Sequence, residues 1–247
     1  MADRNRLLVH PTAARVVLEV LQSADGGRDI TKTVITDPAL AASVLRAANS
    51  AHLGYSRRIG SIRQASVMLG GQLVGSLAAS RVADLVFDTE APDYPDWLWL
   101  HSLTTACACS VLARHMGESI DEAFTIGLLH EVGWLHAASN GVDLAATDTD
   151  HTTAGAELLA RWNLPDRIVA AVQQHHTRSN ALSAPLDRLV VAAHGLVAAM
   201  GVPSPERAIP AAEALVLVNL SDIRQAVLLG QIENELIGLT NELTAAS

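Results

Sequence analysis

The apolar positions of this chain fall into helix-like runs, and residues that begin or end helices separate them. Asp37 precedes Pro38, the pattern of an N-cap residue followed by proline at the first helical position. Residues 61–64 and 119–122 each read as a capping box, and Pro165 begins a further run. Strand signals are nearly absent. The pattern predicts an all-α protein of about ten to twelve helices.

One irregular segment divides these predicted helices into two groups. Residues 88–96, DTEAPDYPD, contain two prolines and four acidic residues and interrupt the apolar periodicity. We therefore predict an N-terminal helical subdomain over residues 1–90 and a C-terminal helical subdomain over residues 91–247.

The composition indicates which residue types build the core and which classes of binding partner are unfavourable. Hydrophobic residues make up 49% of the chain and aromatic residues only 3%, so the core is built mainly from Ala, Val and Leu. Alanine-rich runs favour helices on propensity alone. The formal net charge of −9 argues against general nucleic-acid binding and against binding to anionic membranes, because both need a basic surface.

The cysteines and the N-terminus indicate a cytoplasmic location. Cys107 and Cys109 are the only cysteines, and we interpret them as small buried residues in a reducing compartment. The first ten residues carry charges without a long apolar stretch behind them, so no signal peptide is predicted. No apolar run reaches membrane-spanning length. We expect a soluble cytoplasmic protein.

The most informative motif is GLLHEVGWL, residues 127–135, in which His130 and Glu131 are adjacent within an apolar helix. Burying an imidazole and a carboxylate is costly unless something pairs with them. A metal ion or an internal hydrogen-bond network would serve, and both remain open from the residues alone. Further histidines that could join the pair are spread along the chain: His101, His151, His175, His176 and His194.

Residues 35–71, ITDPALAASVLRAANSAHLGYSRRIGSIRQASVMLGG, resemble the signature of the HDOD domain, the HD-related output domain of bacterial signalling proteins. They contain a DPAL helix start, an R-x-ANSA-x-x-G helix end, an I-x-SI-x-x-A stretch and a following LG. Residues 99–113, 127–135 and 162–176 are similar to the later, HD-like half. The resemblance implies one HDOD domain, with an N-terminal helical bundle packed on a C-terminal HD-like bundle.

The HD superfamily includes metal-dependent phosphohydrolases, so the resemblance also implies a ligand set. By motif, the first histidine is His101, the adjacent pair is His130-Glu131, and the late aspartate position falls on His194. The auxiliary histidines of two-metal members would be His151, His175 and His176. This set suits a divalent transition metal (Fe, Mn, Ni or Zn) rather than Mg or Ca. The alternative is that no metal is bound.

Three departures from the HD pattern weaken the enzyme interpretation. Glu131 replaces an aspartate and adds one methylene, and His194 replaces an acidic residue and removes a negative charge. Trp134 stands where related enzymes carry a lysine that helps to hold phosphate. Without that cation, stabilisation of phosphoryl charge would rest on the metal alone.

A basic corner follows the ANSA segment. Arg57, Arg58 and Arg63 would contact a partner's acidic residues or a phosphate, or else form a solvated charge cluster.

Taken together, the sequence favours a bacterial signal-transduction output or interaction module, with a signalling protein as its partner and a degenerate, non-catalytic HD-type site. One alternative is a metal-dependent phosphohydrolase that acts on a nucleotide or cyclic dinucleotide. Another is a module that binds a nucleotide ligand at the same site without cleaving it.

Overall fold

The structure, a computed structural model, describes residues 7–22, 30–50, 58–87, 92–142, 150–177 and 181–244. Within these ranges the chain forms twelve α-helices and no strand, which confirms the all-α prediction. The helices are α1 Pro11–Gln22, α2 Ile30–Val34, α3 Pro38–Ala48, α4 Ile62–Phe87, α5 Asp96–Met116, α6 Ile120–Leu129, α7 Val132–Ser139, α8 His151–Arg161, α9 Asp166–Gln174, α10 Pro185–Ala199, α11 Ala211–Leu217 and α12 Gln225–Thr244. None of these helices combines the length and the hydropathy that crossing a membrane requires.

Helix α5 is the centre of the fold. Every residue from His101 to Ala113 is buried, and the helix packs against α6, α10 and α12. A helix that is covered on all sides needs apolar or small residues around its whole circumference. This stretch meets that need with Ala, Ser, Thr, Leu and Val, and with Cys107 and Cys109, which are free and buried.

The N-terminal helices α1–α4 pack on the C-terminal helices, as the resemblance implied. α3 and α4 both contact α6, and α2 contacts α12. The buried apolar residues form one continuous core that extends from Leu7 to Ile232. A boundary near residue 90 remains a prediction, because residues 88–91 lie outside the described ranges.

The predicted helix starts are formed as expected. The Asp37 carboxylate accepts a hydrogen bond from the Leu40 backbone N–H, and the Ser61 hydroxyl accepts one from Gln64 N–H. The predicted helix end at residues 70–71 appears instead as a break within α4. Gly70 has φ 76° and ψ 154°, a backbone conformation that glycine adopts without steric cost.

The helix predicted to carry His130 and Glu131 is in fact two helices. α6 ends at Leu129, α7 begins at Val132, and Glu131 leaves the helical region with φ −96° and ψ 17°. In a continuous helix, neighbouring side chains point about 100° apart, because one turn takes about 3.6 residues. The break at Glu131 removes this constraint and lets both side chains face one centre.

Asp37 ties the N-terminal segment to α3. One carboxylate oxygen accepts from Leu40 N–H at 2.9 Å, and the other accepts from His10 N–H at 2.9 Å. The side chain is fully buried, and this burial raises its pKa to about 6. The two backbone donors are the compensation for burying the carboxyl group.

We expect Asp37→Ala to lower the free energy of unfolding by about 2 kcal/mol, because it removes a helix cap and leaves buried N–H groups without an acceptor. Urea denaturation followed by circular dichroism measures the change. Asp93 is exposed, and Asp93→Ala should stay within about 0.5 kcal/mol of the parent. Equal denaturation midpoints for the two variants would contradict the role of Asp37.

Candidate metal centre

Four buried side chains from three parts of the chain form a first donor group. His101 lies on α5, His130 and Glu131 at the α6–α7 junction, and His194 on α10. One ligand atom from each of these residues lies within 4.8 Å of the others. The Nε2 atoms of His101 and His130 are 3.1 Å apart, and Glu131 Oε1 is 3.5 Å from His130 Nε2.

A second donor group uses the other oxygen of the same carboxylate. Glu131 Oε2 lies 3.2 Å from Nε2 of His151 and 3.8 Å from Nε2 of His175. These two nitrogens are 3.2 Å apart, and His176 completes the group. The structure therefore brings together all seven residues that the sequence proposed as metal ligands, with Glu131 between the two groups.

Backbone carbonyls fix the tautomers of two of these histidines. His130 Nδ1 lies 2.7 Å from the carbonyl oxygen of Gly127, and His175 Nδ1 lies 2.6 Å from that of Val172. Because a carbonyl oxygen only accepts hydrogen bonds, each Nδ1 carries the proton. Each Nε2 then presents a lone pair to the centre.

A second carboxylate, Glu206, lies beside the next two histidines. Its Oε1 lies 3.0 Å from His151 Nδ1. Its Oε2 lies 3.1 Å from His176 Nε2, in an orientation that makes no hydrogen bond. Glu206 could not be predicted from the sequence, because it lies in the irregular segment between α10 and α11 and belongs to no motif.

The Glu131 carboxyl group lacks hydrogen-bond partners. Both of its oxygens are buried without one among the described residues. Burying a carboxylate is costly unless something compensates its charge. A positive ion held between this carboxylate and the neighbouring imidazoles would supply that compensation.

Burial keeps the imidazoles neutral and therefore able to act as ligands. It lowers the pKa of His101 to about 4 and that of His151 and His194 to about 3. Burial also holds the pKa of His130 and His175 well below the ordinary value. The same burial raises the pKa of Glu131, and the neighbouring Glu206 raises it further, so a cation beside Glu131 would favour its charged form.

The donors fit a divalent transition metal. Imidazole nitrogen suits Zn, Fe and Ni, and one carboxylate per group is too few oxygens for Mg or Ca. Ligands at about 2.0–2.1 Å from a metal lie about 2.9–3.4 Å apart at octahedral or tetrahedral angles. The nitrogen pairs observed at 3.1 and 3.2 Å fall in this range.

Trp134, which replaces the expected lysine, covers one side of the second group. Its indole stacks on the imidazole of His151, with ring centroids 5.1 Å apart and planes 24° apart. Trp97 meets the same indole edge-on. Trp134 therefore shields His151 from water and supplies no positive charge.

The predicted basic corner is engaged in ion pairs that join the two halves of the chain. Arg58 Nη1 lies 2.5 Å from Asp166 Oδ1, and Arg63 Nε lies 3.3 Å from Asp121 Oδ1. Arg57 lies outside the described residues. Contact of this corner with a partner or a phosphate remains a prediction.

Comparison with known families covers most of the chain. Residues 7–143 match the HDOD domain family, and residues 98–223 match the HD domain family. A protein of uncharacterised function from Treponema pallidum (strain Nichols) is 26% identical over 179 residues, which are 62% of this chain and 34% of that protein. Ribonuclease Y from Fervidobacterium nodosum is 32% identical over 99 residues, which are 40% of this chain and 18% of the enzyme. The chain thus spans about a third or less of these relatives.

Two solved structures share the fold. The MmoQ response regulator from Methylococcus capsulatus str. Bath superposes with a TM-score of 0.71 at 24% identity, over 93% of this chain and 99% of that one. A virulence factor from Campylobacter jejuni subsp. jejuni gives a TM-score of 0.64 at 15% identity, over 97% and 99%. At these identities the likeness establishes the fold alone.

Two glycines let the helices that carry the ligands come close. A Cβ atom on Gly127 would lie 2.6 Å from the Ala106 Cα of α5, and one on Gly133 would overlap the carbonyl oxygen of His151. Helix α7 therefore meets the start of α8 backbone to backbone. The position of His151 depends on this contact.

We expect Gly133→Ala to lower the free energy of unfolding by about 1–3 kcal/mol, because the added methyl group must displace α8. Gly230 on α12 provides a matched control, since an added Cβ there would meet no other described part of the chain within 4 Å, its own helix backbone aside. Gly230→Ala should raise stability by about 0.5–1 kcal/mol. Thermal and urea denaturation measure both changes, and effects of the same sign would rule out the close-contact explanation.

Proposed function

We propose that this chain, which belongs to the HDOD domain family, is a metal-dependent phosphohydrolase whose HD-type half holds the catalytic centre. The observation that carries the proposal is the Glu131 carboxylate, which is buried between two groups of neutral imidazoles with no hydrogen-bond partner for either oxygen among the described residues. Such a carboxylate is costly to bury unless a cation compensates its charge. The seven ligand residues therefore point to a centre for two metals that shares one carboxylate.

Access to the centre favours catalysis over a purely structural role. A cavity of about 170 Å³ is lined by His194 of the first group and by His175 and His176 of the second. Structural metal sites are closed by protein ligands, whereas catalytic sites keep a position open for water or substrate. A cavity that touches both groups supports the second kind of site.

The reaction would be hydrolysis of a phosphoester. The oxygen of a water bonds to phosphorus, the ester P–O bond breaks, and the alcohol leaves with one of the water's protons. A bound divalent transition metal supplies Lewis acidity that activates the water and polarises the phosphoryl group. His130, His151 and His175 would hold the metals with their Nε2 atoms. The carbonyls of Gly127 and Val172 keep the rings of His130 and His175 in the required tautomer.

A non-catalytic signalling role is the second candidate, and Trp134 favours it. The indole stands where a lysine would help to hold phosphate, and it stacks on His151. Under this alternative, the chain is a cytoplasmic bacterial output or interaction module that binds a signalling protein. The metals would then stabilise the bundle or hold a nucleotide without cleaving it.

Metal analysis of matched variants tests the proposal. Protein purified without chelator should contain about one to two equivalents of Fe, Mn, Ni or Zn. Glu131→Gln keeps the shape of the side chain, removes its charge, and should lose most of the metal. His115 is exposed and contacts Gln231, so His115→Ala should keep the parent's metal content.

Hydrolysis of p-nitrophenyl phosphate by the same three proteins completes the test. We expect turnover by the parent and by His115→Ala, and a loss of about a hundredfold or more in Glu131→Gln. A metal-free, folded parent would retire the proposal. A metal-loaded parent whose hydrolysis rate is unchanged by Glu131→Gln would point to a contaminating phosphatase and favour the signalling role.

A further inference from the structure

The segment from Gly201 to Pro210, between α10 and α11, covers the candidate metal centre. Ser204 Oγ lies 3.5 Å from His194 Nε2, and Glu206 contacts His151 and His176. Gly195, next to His194, lets this segment approach, because a Cβ there would lie 2.8 Å from the carbonyl oxygen of Ile209. The segment therefore forms one wall of the cavity that reaches both donor groups.

Arg207 is the charged residue that this wall contributes to the cavity. Its side chain is exposed, and no carboxylate pairs with it among the described residues. By contrast, an acidic side chain pairs with each of three other arginines, Arg58, Arg63 and Arg167.

Glu206, next to Arg207 in the chain, does not neutralise it, because the two oxygens of Glu206 face His151 and His176. A free guanidinium beside a metal centre is suited to bind an anionic oxygen group, since its planar donors match a phosphate.

We infer that Arg207 binds the terminal phosphate of a phosphomonoester in this cavity, supplying the cation that the Trp134 position lacks. This inference rests on the proposed function, because the same phosphate would contact the metal centre. It specifies the substrate class as a monoester. The doubly charged terminal group enters the cavity, while the rest of the molecule stays outside.

The size of the cavity supports a phosphate group over a larger ligand. Pockets that enclose drug-sized molecules measure about 300–1,000 Å³. The cavity at the centre measures about 170 Å³, so a nucleotide or cyclic dinucleotide cannot fit inside it. A water molecule takes about 30 Å³ of liquid, and a phosphate with its five heavy atoms needs roughly the room of three or four waters. A terminal phosphate fits, whereas an internal diester would have to bring two substituents into the cavity.

Isothermal titration of inorganic phosphate into metal-loaded protein tests the inference through binding, independently of turnover. Arg207→Ala should weaken phosphate binding by about tenfold to a hundredfold, through loss of charge-assisted hydrogen bonds. Arg207→Lys should lie between Arg207→Ala and the parent, because it keeps the charge and loses the fork of donors. Arg224 is exposed and unpaired among the described residues, and Arg224→Ala should bind phosphate as the parent does.

Dimethyl phosphate, a diester with a single charge, serves as the second probe and should bind at least about tenfold more weakly than phosphate. The metal content of every variant is measured first. Unchanged phosphate affinity in a fully metal-loaded Arg207→Ala would overturn the role of Arg207 and leave the metal-dependent function standing. Equal affinity for the two probes would overturn the monoester assignment. A parent without metal would overturn both this inference and the proposed function.

Discussion

The arrangement of this protein depends on one buried carboxylate. Glu131 has no hydrogen-bond partner among the described residues, yet it lies between two groups of imidazoles whose pKa values are depressed by burial. Because a charged carboxylate in such a place needs positive charge beside it, the packing of the surrounding helices is compatible with a shell around cations. The candidate ligands come from α5, the α6–α7 junction, α8, α10 and the end of α9, so the same cluster also joins the C-terminal helices to one another.

Three features of the surrounding backbone place the side chains of this cluster. The helix break at Glu131 directs adjacent side chains to one centre, and the backbone contact at Gly133 brings His151 to the second oxygen. Carbonyl groups near the ends of α6 and α9 then hold the rings of His130 and His175 in one tautomer. In each case a main-chain feature fixes a side chain that would otherwise be free to rotate, which is how metal sites gain affinity.

Features that depend on local spacing could be predicted from the sequence, and features that depend on tertiary contact could not. The cap at Asp37 follows from neighbouring residues alone. The seven ligand candidates followed from the HD-like motifs, and the structure brings them together, although metal binding itself remains a proposal. Glu206 and Arg207 lie in an irregular segment, where no periodicity indicates which way a side chain points. The break at Glu131 was missed because the residues around it are all compatible with a continuous helix.

Anomalous diffraction from crystals of the protein grown with Zn or Mn tests the central claim most directly. We expect two anomalous peaks about 3.5–4 Å apart, one beside each oxygen of the Glu131 carboxylate. One peak would lie among His101, His130 and His194, and the other among His151, His175 and His176. Well-ordered crystals with no peak at Glu131, or with metal only at surface histidines, would contradict it.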